Sequence, residues 1–225
     1  MVQPDSATVK TDRLVLCYFR RMKPASPRPV DSRRRSERSR QAILDAALDL
    51  VREVGYEKLS IEAIAARAGV GKQTIYRWWP SKGAVLFDAF VALNEEQGEL
   101  AALPDTGDIE ADLKAVLAAT VDELNDPQYD VPMRALSTAM SNDEALAEQY
   151  EQWLGRPMRE IKLQRLQAAR DAGQISPDVD LDVTIDIVWG PVLNRWLQRT
   201  GPLDSTYTDK LITSVFSGIR VSLQD

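Results

Sequence analysis

One stretch of twenty residues, Ile61 to Pro80, constrains this 225-residue chain more than any other; it reads IEAIAARAGVGKQTIYRWWP. Two short helices that cross steeply need a small residue where their backbones approach and a turn residue that tolerates positive φ. Ala65 supplies the first and Gly69 the second. Ile64, Ala68, Val70, Ile75 and either Trp78 or Trp79 stand at the spacings that fill the crook between the helices. The opposite face of the second helix carries Lys72, Gln73, Thr74, Tyr76 and Arg77. A helical hairpin buried in a core would not crowd such long polar side chains together, whereas a helix entering the major groove of DNA needs donors for base edges and phosphates. The stretch therefore predicts a helix-turn-helix.

The flanks extend the helical pattern. Ile43, Ala47, Leu50 and Val54 mark one buried stripe ending at Gly55, a C-cap candidate. Ser60 is placed as the N-cap of a helix to Ala68, a third helix over Lys72–Trp79, and Ser81 as the N-cap of a fourth running to about Leu100. Before Ser36, prolines at 24, 27 and 29 and the Arg33–Arg35 cluster read as a disordered basic arm, within which Met22 is an alternative start to Met1. Beyond Pro104, helices are expected over about 108–125, 132–141, 143–172, 180–200 and 205–223, punctuated by Pro127, Pro132, Gly173, Pro177, Gly201 and Pro202. The reading is all-α: an arm over 1–35, a DNA-binding domain over 36–98 with its helix-turn-helix at 61–80, and a larger C-terminal domain over 99–225.

Charge agrees with that division. The chain has a net charge of -6, but residues 1–82 hold a balance of +8 and the remainder -14. A basic end facing nucleic acid and an acidic, solvated end follow from such asymmetry. There is no histidine and one cysteine, Cys17, which leaves no His-based acid–base or triad chemistry and no Cys-rich zinc site. No catalytic set, metal site or cofactor is expected, and a helical enzyme is disfavoured. The early apolar run Leu14–Phe19 is too short to span a membrane or to serve as a signal core, so a cytoplasmic location is expected.

Residues 38–95 closely resemble the DNA-binding domain of TetR-family repressors. The words that carry the resemblance are Ile43-Leu44-Asp45-Ala46-Ala47, Ile64-Ala65-Ala66-Arg67-Ala68-Gly69-Val70, Thr74-Ile75-Tyr76-Arg77 and Pro80-Ser81-Lys82. The resemblance implies that Thr74 contacts bases or phosphate, that Tyr76 and Lys82 contact phosphate, and that Lys72 and Gln73 read sequence. Ser60 and Arg77 are placed with them on the DNA side. Trp78 departs from the pattern, in which a histidine is common, and Trp79 stands where the family buries a phenylalanine.

The resemblance also implies that the last two helices pair with those of a second subunit. Ile187, Pro191, Leu211, Val215, Phe216 and Ile219, together with Trp196, are the candidates for that seam. An effector pocket between C-terminal helices is implied as well, and Met133, Met140, Tyr150, Trp153, Trp189 and Trp196 are large and adaptable enough to line it. Trp189-Gly190-Pro191 is similar to one subgroup of the family's C-terminal domains. The acidic set Asp178, Asp180, Asp182 and Asp186 reads as a solvated helix start. The expected function is a homodimeric repressor that a small molecule releases from operator DNA; a constitutive or architectural DNA-binding regulator without a ligand is the alternative.

Overall fold

The computed structural model describes residues 30–95 and 102–219, and among these there is no strand. In chain order the helices are α1 (Val30–Lys58), α2 (Ile61–Ala68), α3 (Lys72–Tyr76), α4 (Lys82–Glu95), α5 (Ile109–Asn125), α6 (Pro127–Met140), α7 (Glu144–Tyr150), a π-helical turn (Glu151–Gly155), α8 (Arg156–Asp171), α9 (Leu181–Gln198) and α10 (Ser205–Ile219). Residues 1–29, with Met22 and Cys17, lie outside the described residues. The expected arm is too long by six residues, because α1 begins at Val30, not after residue 35.

Helix α1 buries Ile43, Leu44, Ala47, Leu50 and Val51, but Val54 is 42% exposed, so the expected stripe stops one turn early. The chain leaves helical geometry at Gly55 (φ 78°, ψ 169°), and Val54 sits on the outer side of that kink. α3 is shorter than expected, ending at Tyr76, before the turn that Pro80 imposes on the residues ahead of it.

The C-terminal helices start on aspartates. Asp108, Asp126, Asp143, Asp180 and Asp204 each accept from a backbone N–H in the first turn of α5, α6, α7, α9 and α10. A carboxylate there satisfies an orphan donor and faces the positive end of the helix dipole. Of the acidic set near residue 180, Asp180 is thus a cap, while Asp182 and Asp186 both take bonds from Arg159 of α8.

Pro132 was expected to open a helix and instead lies inside α6, which opens on Pro127. A proline has no N–H, so the carbonyl four residues back loses its helical donor. That carbonyl, Gln128 O, accepts from Arg52 Nη2 of α1 at 3.1 Å. The break in the α6 ladder is thereby a socket for the DNA-binding half. At the far end, the buried pair Asp112–Arg165 (2.7 Å) ties α5 to α8. Arg165 Nε donates to Pro104 O, and the Thr106 N–H and hydroxyl donate to Asp112, which pins the segment entering α5. Burial pushes the Asp112 carboxyl up, but the bonds from Arg165 and Thr106 outweigh it and hold the group below the ordinary aspartate value.

Candidate nucleic-acid interface

The outward face of α3 depends on how its neighbours hold it. Ser60 stands in extended geometry before α2, and its Oγ accepts from the Ala63 N–H at 3.1 Å. At the other end Gly69 adopts φ 66°, ψ 31°, the left-handed geometry that a glycine enters without a Cβ penalty. The Val70 N–H then donates back to Ala65 O at 3.0 Å, closing the turn onto the small residue at the crossing. α3 follows at once, with Ile75 fully buried beneath it.

Trp79 completes the anchor. It is buried, and its Nε1 donates to Asp88 of α4 at 3.0 Å, while Arg40 of α1 pairs with the same carboxylate at 2.9 Å. Trp78 is half-buried, packed edge-on against Trp79 and covered by the Arg77 guanidinium at 5.1 Å. Of the two tryptophans offered for the crook, Trp79 fills it.

With its inner side fixed, α3 turns Lys72, Gln73 and Tyr76 to solvent and leaves Thr74 half-buried; Arg77, its C-cap, is exposed. Tyr76 is 51% exposed, which is unusual for a large ring. Of the residues placed together from the sequence, Lys72, Gln73, Tyr76 and Arg77 are exposed and Thr74 is not. Two electrostatic contacts on this unit were missed: Arg67 pairs with Glu53 of α1 at 2.7 Å, and Lys72 pairs with Glu62 of α2 at 3.0 Å. Both span helices, so no local periodicity betrays them.

Lys82 behaves differently from expectation. Its Nζ donates to Tyr56 O and Leu59 O, each at 2.8 Å, and lies 4.4 Å from the centre of the Tyr56 ring. The ammonium therefore closes the C-terminal end of α1 and does not reach outward as a phosphate contact. Tyr56 and Leu59 stand where α1 ends, so their carbonyls are among those that a continuing helix would have paired.

The expected pocket residues do not share one setting. Met133 is buried and Met140 half-buried on α6, and burial pushes the Tyr150 hydroxyl up to about 12. Trp189 is buried against Lys162, whose ammonium is 4.5 Å from the ring and is drawn down to about 8 by burial. Trp196 is locked in place: its Nε1 donates to Asp130 at 2.6 Å, and Arg134 stacks on it at 4.2 Å while donating to its carbonyl. Trp153 is 46% exposed in the π-helical turn and does not line an interior. An open groove of about 690 Å³ runs between α8 and the start of α9, and none of the six lines it.

The residues expected at the seam do not share one setting either. Phe216 is buried in the chain's own core, as is Trp196; Leu211, Val215 and Pro191 are half-buried, and the Ile219 side chain lies outside the described residues. Ile187 is exposed, and with it Val183, Leu193 and Leu197, which the sequence reading missed. These four, with Gly190 between them, follow one face of α9.

Comparison with known proteins comes to the same place. Residues 43–89 match the family described as bacterial regulatory proteins, tetR family, and residues 103–215 match the tetracyclin repressor-like C-terminal domain. The chain is 30% identical to the HTH-type transcriptional regulator YdeS of Bacillus subtilis over 84% of its own length and 94% of that protein's. It is 29% identical to a DNA-binding transcriptional repressor TetR of Mycobacteroides abscessus, covering 80% and 93% of the two chains. Among solved structures, the TetR family transcription regulator SCO0332 is 37% identical, with a TM-score of 0.60 over 80% of this chain and 98% of that one.

Proposed function

The chain belongs to the TetR family of bacterial regulatory proteins, and from that premise we propose that it is a homodimeric repressor which a small-molecule effector releases from operator DNA. The observation that carries the reading is the two-sided character of α3. Its inner side is fixed by Ile75 and the Trp79–Asp88–Arg40 cluster, while Gln73 and Tyr76 are exposed beside Lys72, which pairs with Glu62 of α2. Membership of the family supports DNA as the partner of that face.

A single short helix reads few base pairs, so adequate specificity needs two, held about 34–36 Å apart on a roughly palindromic site. The exposed face of α9 supports a second copy as the means of holding them. Four large apolar side chains left in water along one helix favour burial against an equivalent helix. What supports effector control is the likeness of residues 103–215 to the repressor-like C-terminal domain, together with the direct seat of α1 on α6 through Arg52 and Gln128. A ligand that shifts α6 changes the support of the DNA-binding half, provided it binds the released arrangement more tightly than the DNA-bound one.

Thermal melting against a panel of apolar and cationic compounds, followed by titration of any hit into the protein–operator complex, tests the release. The expected hit raises the melting temperature by mass action and lowers operator affinity. A compound that stabilises the protein and leaves operator binding unchanged contradicts the release mechanism.

A further inference from the structure

We infer that Glu62 and Lys72 read one G·C base pair together, the carboxylate accepting from the cytosine amino group while the ammonium donates to the guanine edge. This rests on the DNA-facing role of α3 and extends that role to the neighbouring helix α2.

Lys72 opens α3 and Glu62 lies in the first turn of α2, and Lys72 Nζ donates to Glu62 Oε1 at 3.0 Å. The two side chains are 54% and 62% exposed, beside Gln73, so the pair stands on the open side of the unit and is not packed into it. An acceptor that takes another N–H of the ammonium lies about 5 Å from the carboxylate, near enough to feel its charge, and a group on the carboxylate side can meet both. A phosphate offers acceptors and negative charge alone, and Glu62 repels it. A base pair offers an acceptor and a donor side by side.

In a G·C pair, guanine O6 and cytosine N4 are joined by a Watson–Crick bond of about 2.9 Å, close to the span of the ion pair. O6 keeps a lone pair and N4 keeps an N–H facing the major groove. The lysine finds N7 beside O6 as a second acceptor. An A·T pair presents a donor and an acceptor at a similar separation, but the thymine methyl flanks that acceptor and would press on a charged, hydrated group. The bond from Lys72 also holds the Glu62 carboxyl below the ordinary glutamate value, which keeps it an acceptor at the pH of binding. As a structural bond, an exposed pair contributes little to folding, so removing it leaves the helices intact.

The test is enrichment of duplexes from a randomised pool with the wild type, Glu62→Gln and Lys72→Ala, followed by affinity measurements on single-base variants of the enriched site. The wild type is expected to select G·C at one position beneath each α3. Glu62→Gln should lower the preference there by about tenfold, leave the other positions unchanged, and bind random duplex more tightly. Lys72→Ala should lose preference at the same position. Unchanged base preferences in Glu62→Gln, or an equal loss on every duplex, overturn the shared reading and leave the DNA-binding role standing. A wild-type protein that enriches no sequence overturns both.

Discussion

Lys82 shows why a residue's motif and its partner are separate questions. Its place at the start of α4 matches a phosphate-contacting position, yet its three donors are directed at the end of α1. Lys82→Ala leaves the Tyr56 and Leu59 carbonyls without that partner and should cost roughly 1–3 kcal/mol of stability, read as a lower melting temperature. The salt dependence of DNA binding should change by less than the one unit that loss of a phosphate contact produces. A full unit of change with unaltered stability would place the lysine on DNA. Gln73, which is exposed and takes no part in holding α3, should behave in the opposite way: Gln73→Ala costs about 1–3 kcal/mol on the preferred site and relaxes specificity there, without affecting folding. Equal loss on preferred and random duplex contradicts that role. The caps at Ser60, Gly69 and Ser81 were legible because each bond closes within three or four residues of the residue that signals it. The partners of Lys82, Arg67 and Lys72 were not, because they depend on where a separate helix ends in space.

At the scale of elements, two junctions matter, one between the halves of the molecule and one within the C-terminal half. The first is the Arg52 bond to Gln128 O, which exists because Pro132 donates nothing back along α6. Pro132→Ala should restore a helical donor to that carbonyl and compete with Arg52. The coupling of effector to DNA should then weaken, seen as a smaller change in operator affinity at saturating effector, while the helical spectrum is kept. An unaltered change assigns the coupling to other contacts. The second junction is the Asp112–Arg165 pair. Because the folded carboxyl titrates below its unfolded value, its contribution is fully present above about pH 4 and is lost as pH falls through the lower folded value. Asp112→Ala leaves the buried guanidinium with only the exposed Asp105 carboxylate at 3.1 Å, at a cost of about 3 kcal/mol, and should flatten the acid limb of a stability–pH curve. Persistence of the wild-type acid limb in that variant would show that another group sets it. The C-terminal helices were legible from the prolines and glycines that punctuate them, except that the single helix expected over 143–172 is α7, a π-helical turn and α8. The inner position of Pro132 was not, because a proline that ends a helix and one that leaves a socket for a partner look alike in one dimension.

For the whole molecule, the proposed dimer turns on which apolar face the chain buries within itself and which it leaves exposed. α9 carries large apolar residues on both sides: Ile185, Val188, Val192 and Trp196 turn inward, whereas Val183, Ile187, Leu193 and Leu197 do not. Sequence alone could not assign these faces, since both repeat at helical spacing, and this is why Trp196 was placed at the seam and Leu193 was not. Ile187→Asp with Leu193→Asp should yield a helical, monomeric protein with little operator affinity. That variant bears on the face used; the more direct measurement is the mass of the wild-type protein on its enriched duplex, by sedimentation at micromolar concentration. The expected result is two chains per roughly palindromic site, with no complex of one chain populated under saturating conditions. A tight complex containing one chain, formed by a protein that is itself monomeric, would falsify both the dimer and any release that works by changing the spacing of two recognition helices.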